Sequence, residues 1–352
     1  MRKFQLIHGN SKEVLKPFPN NIFQCCVTSP PYWQLRDYFE KEQLGQEKSS
    51  EEYIQNLVEI FREVKRVLRK DGILWVVIGD TYVRADFKKR GILTNLKVKN
   101  LVGIPWKLAF ALQKDGWYLR CDVIWQKTNV LPDGAKDRPT RSHEYIFQFT
   151  KSSKYFYDYY AVLEKAKSER IKRETGFGAK HQKGTFRMDQ KRVFIDYGTK
   201  NKRSIWISSV ASSKNVHFAV FPLKLINTAV KASVSKKGCC SKCRAPWKRI
   251  LEKVKETDNS YSLELRSRGW KPTCKCLNTN VIPCLVLDPF AGTSTTGVAA
   301  FMNHADYVGI DLNANYLKLS KDKLMTEDCL GENDIFVEQE EDYNGNTRTK
   351  KN

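Results

Sequence analysis

The sequence predicts an α/β fold with a mostly parallel, twisted sheet, because strand and helix signals alternate in both halves of the chain. In the first half, apolar residues recur at helical spacing between 54 and 68, and an unbroken apolar run at 73–78 follows. Such a run is typical of a strand that is covered on both faces. In the second half, a Gly/Ser/Thr-rich turn joins a short strand at 285–287 to a helix at 296–303, and a strand follows at 307–310.

Further signals bound the elements of the first half. Ser49 and Glu52 have the spacing of a capping box, so they predict the start of the first long helix. The pair Asp71-Gly72 predicts the end of that helix. Pro105 can occupy the first turn of a second helix, which runs to about Lys114. The segments 118–125 and 144–149 have the pattern of strands.

Composition excludes several classes of protein. The 352 residues include 41% apolar ones, enough for a substantial core, so global disorder is excluded. The run at 73–78 is the longest apolar one, and its six residues fall far below the roughly 20 that a membrane helix needs. The N-terminus lacks the apolar centre of a signal peptide, which predicts an intracellular, cytoplasmic protein. Ten cysteines in that compartment predict thiols or metal ligands rather than disulfides.

The net charge of +22 indicates a polyanionic partner, and it is unevenly distributed. Residues 165–203 hold thirteen Lys or Arg and four Asp or Glu, and aromatic residues are interleaved with them. Positive charge of this kind gives affinity for phosphates but no choice of sequence. The tail from 326 to 352 holds eight acidic and three basic residues, which predicts a solvated, disordered segment.

The turn VLDPFAGTSTTG, which ends at Gly297, has the features of a ligand-binding loop between a strand and a helix. Its glycines allow the backbone to approach a ligand closely. Asp311 follows Gly292 by nineteen residues at the end of the next strand, where a carboxylate can accept hydrogen bonds from ribose hydroxyls. The pattern is neither G-x-G-x-x-G nor G-x-x-x-x-G-K-[ST], so a dinucleotide or a nucleoside triphosphate is disfavoured.

Two motifs resemble those of one enzyme family. The run DPFAGTSTTG at 288–297 resembles the S-adenosylmethionine loop of DNA amino-methyltransferases, and TSPPYW at 28–33 resembles their catalytic motif. The catalytic motif comes first in this chain, which is the circularly permuted, beta-group order of the N4-cytosine/N6-adenine family. The resemblance extends over most of residues 4–325. It implies a Rossmann-like, S-adenosylmethionine-dependent methyltransferase fold.

The resemblance implies a catalytic turn made of Ser29, Pro30, Pro31 and Tyr32. An exocyclic amine of cytosine or adenine is a poor nucleophile, because its lone pair is delocalised into the ring. A hydroxyl and a backbone carbonyl that accept its two N–H bonds favour a tetrahedral nitrogen. By resemblance, Ser29 and the carbonyl of Pro30 are these acceptors. Tyr32 would stack on the target base, which must leave the duplex.

The resemblance also implies the cofactor site. Its core is Asp288, Pro289, Phe290, Gly292 and Thr293, together with Asp311. The run HFAVFP at 217–222 resembles a segment that covers the cofactor, with Phe218 and Pro222 as contacts. Relatives often carry an aspartate near the cofactor adenine where this chain has Asn10, whose side-chain carbonyl can still accept a hydrogen bond.

Other chemistries fit parts of the sequence. Methylation at C5 of cytosine needs a nucleophilic cysteine after a proline, and Pro283-Cys284 fits in sequence, but a thiol just before a core strand is expected to be buried. Cys25 and Cys26 are likewise expected in the core. Serine before the two prolines favours N4 of cytosine, with N6 of adenine as the alternative. An RNA amino-methyltransferase and a non-catalytic nucleic-acid-binding protein are further alternatives.

Five clustered cysteines predict a metal site. Cys240 and Cys243 form one pair and Cys274 and Cys276 a second, across a 30-residue gap. Four thiolates suit a tetrahedral structural zinc on a small insert, although the second pair is tighter than the usual C-x2-C. Cys239 is the alternative to Cys240 as a ligand, and reduced thiols that bind no metal are the alternative to the site.

We therefore predict six segments and a DNA substrate. The segments are a catalytic half (1–160), a basic candidate target-recognition loop (161–210), a cofactor-covering segment (211–235), a zinc-ribbon-like insert (236–280), a cofactor-binding half (281–325) and an acidic tail (326–352). The partner is double-stranded DNA. A homodimer and a cognate restriction endonuclease are further expected partners, and no membrane is expected.

Overall fold

The computed structural model describes residues 3–165, 199–210, 221–255, 263–326, 335–341 and 347–351. The helices are α1 Ser11–Val14, α2 Ser50–Val67, α3 Ile104–Lys114, α4 Leu223–Ser233, α5 Thr295–Met302 and α6 Ala314–Thr326, with a 3-10 turn at Tyr159–Val162. The strands are β1 Lys3–His8, β2 Phe23–Thr28, β3 Leu68–Ile78, β4 Tyr118–Lys127, β5 His143–Thr150, β6 Glu164–Lys165, β7 Thr199–Lys200, β8 Ile205–Ser208, β9 Cys239–Cys240, β10 Lys248–Lys255, β11 Leu263–Lys271, β12 Val281–Ile282, β13 Leu285–Asp288, β14 Asp306–Asp311, β15 Ile335–Glu341 and β16 Thr347–Lys351.

Ten of the strands form one central sheet in the order β16-β15-β1-β14-β13-β2-β3-β5-β4-β8. Its pairs are parallel except where β5 pairs with β3 and β4, and where β16 pairs with β15. The predicted α/β fold with a mostly parallel sheet is therefore confirmed.

Both faces of this sheet are covered, as the apolar run in β3 predicts. Leu74, Val76 and Ile78 pack under α2 and α3. Ile73, Trp75 and Val77 point the other way and join the core under α4, α5 and α6. Successive residues of a strand face opposite sides, so an unbroken apolar strand requires helices on both.

Helix α2 begins as predicted but ends early. The Ser49 side chain accepts a hydrogen bond from the backbone N–H of Glu52, as expected of an N-cap. We expected Asp71-Gly72 to end the helix, but it ends at Val67. Leu68 already has extended backbone angles, with φ −69° and ψ 140°, and is the first residue of β3. Pairing of Leu68 with Phe23 of β2 overrides the stop signal further along the chain.

The other predicted elements lie within two residues of their expected bounds. Helix α3 carries its proline in the first turn. Strands β4, β5, β13 and β14 and helix α5 form where their patterns predicted them. Among the described helices, none has both the length and the apolar character that crossing a bilayer requires.

The acidic tail differs from the prediction. Strand β15 extends the central sheet by pairing in parallel with β1, and β16 pairs antiparallel with β15. The expectation of a fully disordered tail is therefore wrong for residues 335–341 and 347–351. The negative charge of the tail predicted a solvated segment. Strand β15 forms nonetheless, because the open edge of β1 offers backbone hydrogen bonds that do not depend on side-chain charge.

Three small two-stranded sheets stand apart from the central one: β6 with β7, β9 with β12, and β10 with β11. The pair of β6 and β7 brings the two ends of the 166–198 segment side by side. Glu164 in β6 accepts hydrogen bonds from Lys202 and Arg203 just after β7, at 2.9 and 2.8 Å. Most of the predicted basic loop, residues 166–198, lies outside the described residues.

Candidate active site

Two neighbouring parallel strands bring the two motifs together. Strands β2 and β13 pair in the middle of the sheet, and TSPPYW and DPFAGT follow their carboxyl ends. The hydroxyl of Thr28 donates a 2.6 Å hydrogen bond to Oδ1 of Asp288, and Thr296 donates to Oδ2 at 2.7 Å. Motifs separated by about 260 residues therefore meet at the carboxyl edge of the sheet. That edge is where open α/β sheets bind ligands.

A cavity of about 380 Å³ opens between the two motifs. This volume lies within the range typical of small-molecule sites. The predicted residues that line it are Ser29, Pro30, Pro31, Tyr32, Phe290, Gly292, Thr293, Asp311 and Asn10. Asp288, Pro289 and Pro222 lie off its wall, although Phe221, next to Pro222, lines it. Phe218 lies outside the described residues.

Asp311 lines the half of the cavity that the glycine loop borders. Its two carboxylate oxygens accept hydrogen bonds from the backbone N–H groups of Gly292, at 2.7 Å, and Asn313, at 2.9 Å. Gly292 has a φ of 51°, a left-handed conformation that favours glycine at this turn. Burial raises the pKa of Asp311 to about 6, while the two N–H groups act to lower it.

Asp288 supports the loop from beneath. It is fully buried, and besides the two threonine hydroxyls it accepts a hydrogen bond from the backbone N–H of Phe290 at 3.1 Å. Burial raises the pKa of this carboxyl to about 6 against the effect of these hydrogen bonds. Its place in the fold is that of an anchor joining the catalytic turn to the glycine loop.

Asn10 caps α1 and closes one side of the cavity. Its Oδ1 accepts from the backbone N–H of Lys12 at 3.1 Å, and its Nδ2 donates to Glu42 at 2.9 Å. Glu42 belongs to a segment that also brings Tyr38 edge-on to Tyr316, with ring centroids 6.3 Å apart. No motif marks this segment, so Glu42, Tyr38 and Tyr316 were not predicted from the sequence.

The catalytic turn is held by contacts from three directions. The hydroxyl of Tyr53 in α2 donates a 2.7 Å hydrogen bond to the carbonyl of Pro31. The ring of Tyr32 lies against Gly79, where a Cβ atom would be only 2.5 Å from Cε2 of that ring. The Tyr32 hydroxyl donates a 2.7 Å hydrogen bond to Oε2 of Glu144. The turn is therefore fixed by its neighbours rather than by its prolines alone.

Glu144 and Lys127 were not among the predicted site residues. They form an ion pair on the cavity wall, with side chains 15% and 18% exposed. Burial, followed by the charge of Glu144, raises the pKa of Tyr32 well above its usual value, so the phenol stays protonated. Both residues fall in segments that carry the family resemblance, and that resemblance was the only sequence signal for them.

The four predicted cysteines also converge. The sulfur atoms of Cys240, Cys243, Cys274 and Cys276 lie within 4.8 Å of one another, so the group could hold a metal ion. Backbone N–H groups of Cys243 and Lys242 lower the pKa of the Cys240 thiol to about 7. Cys239 instead points to the carbonyl of Pro283, 3.4 Å from its sulfur. The preference of the spacing for Cys240 over Cys239 agrees with this arrangement.

This cysteine module, residues 239–276, lies at the amino edge of the sheet, opposite the cavity. Arg69, at the start of β3, donates a 2.5 Å hydrogen bond to the carbonyl of Cys243. Gln24, near the start of β2, donates to the carbonyl of Arg244 at 2.7 Å. Arg249 pairs with Asp158 at 2.7 Å and lies over the Trp270 ring. The predicted core thiols Cys25, Cys26 and Cys284 are all buried, as expected.

With the geometry in place, comparison with known proteins assigns the class. The family model described as DNA methylase matches residues 23–240 and 283–322, well over half of the chain. Type II methyltransferase M.Cfr9I of Citrobacter freundii is 38% identical over 92% of this chain and 88% of its own length. Type II methyltransferase M.SmaI of Serratia marcescens is 35% identical over 92% of both chains. This chain therefore belongs to the N4/N6 DNA methylase family.

Two solved structures share the fold. PvuII DNA methyltransferase (cytosine-N4-specific) superposes with a TM-score of 0.58 and 16% identity, over 95% of this chain and 88% of that one. A putative DNA modification methylase from Thermus thermophilus, solved with S-adenosyl-L-methionine, gives a TM-score of 0.50 and 23% identity over 92% and 95% of the two chains.

Proposed function

We propose that this methyltransferase transfers a methyl group from S-adenosylmethionine to the exocyclic N4 of a cytosine flipped out of double-stranded DNA. The observation that carries the proposal is the shared cavity, in which the Ser29–Tyr32 turn faces the glycine loop and Asp311. One wall offers acceptors suited to an amine, and the other offers the partly buried carboxylate of Asp311, which suits ribose hydroxyls. When bound, S-adenosylmethionine supplies an electrophilic methyl group on a sulfonium.

The residues on the catalytic wall fit an amine that must become tetrahedral. The Ser29 hydroxyl and the Pro30 carbonyl can each accept one N–H bond of the amine, which frees the nitrogen lone pair for in-line attack. Pro30 and Pro31 have no backbone N–H, so the turn presents only acceptors at these positions. The Tyr32 ring offers a stacking surface for the flipped base. The enzyme forms no covalent intermediate.

Cytosine is preferred over adenine on the strength of Ser29. Serine rather than aspartate before the two prolines is the pattern that favours N4 of cytosine within the family that this chain resembles. The fold likeness to the cytosine-N4-specific enzyme is consistent with this choice, and N6 of adenine is the second candidate. We also propose that the basic 165–203 segment contacts DNA phosphates. A partner endonuclease and a homodimer remain predictions.

For the cysteine module we propose a structural zinc. A tetrahedral zinc with Zn–S bonds of about 2.3 Å places its sulfurs roughly 3.8 Å apart, so a cluster whose sulfurs already lie within 4.8 Å needs little adjustment. Four thiolates leave no open coordination position, so such a metal would stabilise the module rather than take part in chemistry.

The test is methyl transfer to DNA with product identification. Purified protein is incubated with labelled S-adenosylmethionine and unmethylated DNA or RNA, and the digested nucleosides are separated. Labelled N4-methylcytosine from DNA is the expected product. Labelled N6-methyladenine would replace the cytosine assignment, and label on RNA alone would overturn the DNA substrate. Ser29→Ala is expected to lose at least about a hundredfold in turnover while its affinity for S-adenosylmethionine is kept.

A further inference from the structure

A charged pair on the wall of the cavity has no part in the mechanism above. Register between β4 and β5 places Trp125 opposite Glu144, and Lys127 follows two residues later on the same face of β4. Trp125, Lys127 and Glu144 all line the cavity beside Ser29 and Tyr32. The sheet therefore places the carboxylate of Glu144 and the ammonium group of Lys127 on the same wall as the catalytic turn.

The two oxygens of Glu144 are used separately. Oε1 accepts from the ammonium of Lys127, and Oε2 accepts from the Tyr32 hydroxyl at 2.7 Å. The Lys127 ammonium also lies 4.9 Å from the centre of the Trp125 ring. Lys127 is thus fixed by two partners, and its ammonium holds Oε1 of Glu144 while Oε2 faces Tyr32. An ionised carboxylate is the stronger acceptor for a phenol.

The Tyr32 ring is restrained at two points. At its edge, Gly79 leaves room for the ring and nothing more, since any side chain there would overlap Cε2. At its tip, the hydroxyl is tied to Glu144. The contact at Gly79 blocks movement of the ring edge, and the hydrogen bond at the hydroxyl restrains the tilt that this contact alone would allow.

Burying part of an ion pair costs desolvation energy, so this pair is expected to add little to the free energy of unfolding, and its role can lie in positioning. From these contacts we propose that Glu144, held by Lys127, is a positioning residue that fixes the plane of Tyr32 for stacking on the target base. The proposal rests on the proposed function, because it assigns a role within base binding. Stacking of a base on an aromatic ring is worth about 1–3 kcal/mol, and a tilted ring loses part of it.

The experiment is a double-mutant cycle with three variants: Tyr32→Phe, which keeps the ring but not the tether, Glu144→Ala, and the two combined. Turnover on DNA that the wild type methylates, KM for DNA and affinity for S-adenosylmethionine are measured. Each single variant is expected to lose about tenfold in turnover, with cofactor affinity unchanged. The turnover of the double variant is expected to equal that of the less active single variant, because both changes remove the same hydrogen bond between Tyr32 and Glu144.

Two further variants separate positioning from folding. Glu144→Gln keeps a neutral acceptor for the Tyr32 hydroxyl and is expected to recover most of the turnover that Glu144→Ala loses. Glu63→Gln is the matched control, because Glu63 pairs with Arg66 at 2.8 Å on α2, away from the cavity. It is expected to keep wild-type turnover.

Three outcomes would overturn the proposal: losses that multiply in the double variant, wild-type turnover in Glu144→Ala, or no recovery in a folded Glu144→Gln. A wild type that labels no nucleic acid would instead remove the proposed function and this inference with it. An active wild type with additive losses removes the inference alone.

Discussion

The two edges of the central sheet are built differently although they share the same strands. The carboxyl edge holds the cavity, where hydrogen bonds fix the buried Asp288 beneath the loop and the Tyr32 ring on the wall. The amino edge holds the cysteine module, attached by backbone carbonyls that accept from Gln24 and Arg69. Strand β2 contacts both, through Gln24 near its start and Thr28 at its end. Under the proposed function, chemistry and metal stabilisation would be separated along this single strand.

From this separation we expect mutations at the two edges to affect different properties of the enzyme. A change at the amino edge should alter the free energy of unfolding and leave the turnover of the folded enzyme unchanged. At constant pH, a change to the catalytic turn at the carboxyl edge should alter turnover or cofactor affinity more than it alters stability. Three experiments test this contrast.

The largest effect is expected from loss of the metal. Purified protein should contain close to one zinc per chain, and Cys276→Ser or a strong chelator should lower Tm by about 5–10 °C. A structural zinc contributes several kcal/mol, and each kcal/mol shifts Tm by roughly 2–4 °C in large domains. Turnover at a temperature well below the lowered Tm should stay within about twofold of wild type.

Cys121→Ser is the matched control, because Cys121 is a half-buried thiol on β4 outside the cluster. Its Tm and zinc content should stay near those of wild type. Zinc content near zero in wild type, or a turnover loss as large as that of Ser29→Ala in the metal-free protein, would contradict the contrast between the edges.

A smaller effect, confined to chemistry, is expected from Gly79→Ala. The added Cβ would lie 2.5 Å from the Tyr32 ring, which must then move away from the base. A displacement of about 1 Å at a reacting site can cost up to a hundredfold, so turnover should fall ten- to a hundredfold. Affinity for S-adenosylmethionine, measured by calorimetry, should be unchanged.

Gly134→Ala provides the comparison, since a Cβ at Gly134 would meet no atom within 4 Å. If both alanine variants turned over alike, the close contact between Gly79 and Tyr32 would have no bearing on catalysis.

The smallest expected effect is that of pH. As pH rises, affinity for the cofactor should increase, whereas the contribution of two carboxyl groups to stability should decrease. Asp288 and Asp311 have folded-state pKa values of about 6, above the ordinary 3.8, so between about pH 4 and 6 the folded protein holds more protons than the unfolded chain. Their contribution to stability is therefore greatest below about pH 4 and is lost as pH rises through 6. Affinity for S-adenosylmethionine should instead fall severalfold from pH 7.5 to 5, as Asp311 gains a proton.

The Asp311→Asn variant should bind the cofactor weakly at every pH, so its affinity should no longer depend on pH in this range. Asp288→Asn should reduce the pH dependence of stability to the part that Asp311 contributes, while the pH dependence of cofactor affinity remains. Calorimetric titrations and thermal unfolding between pH 5 and 8 measure both, and a flat wild-type affinity would remove Asp311 from cofactor binding.

Local signals were sufficient for most of the fold. The apolar run of β3, the cap at Ser49 and the proline of α3 each depend on residues close in sequence, so the pattern alone placed them. The predicted end of α2 and the predicted disorder of the tail were wrong because both are decided by pairing with strands distant in sequence.

The site divides in the same way. The turn at Ser29 and the loop at Gly292 are short motifs, and they could be predicted from sequence together with the four cysteines. Glu144 and Lys127 reach the cavity through sheet register, and Gly79 meets the Tyr32 ring through close packing, which no single segment reveals. Asp288 belongs to a motif, yet its position beneath the loop depends on Thr28, 260 residues away.

The paired strands β6 and β7 have a consequence for how such an enzyme can change its target. They hold residues 165 and 199 side by side, so the chain enters and leaves the 166–198 segment at one place. The entropy of closing a loop grows with the logarithm of its length, by about 0.6 kcal/mol for each doubling. Insertions or replacements in that segment would therefore cost the catalytic core little. If this segment is the target-recognition region that the family resemblance implies, its sequence can change without altering the proposed catalytic turn at Ser29.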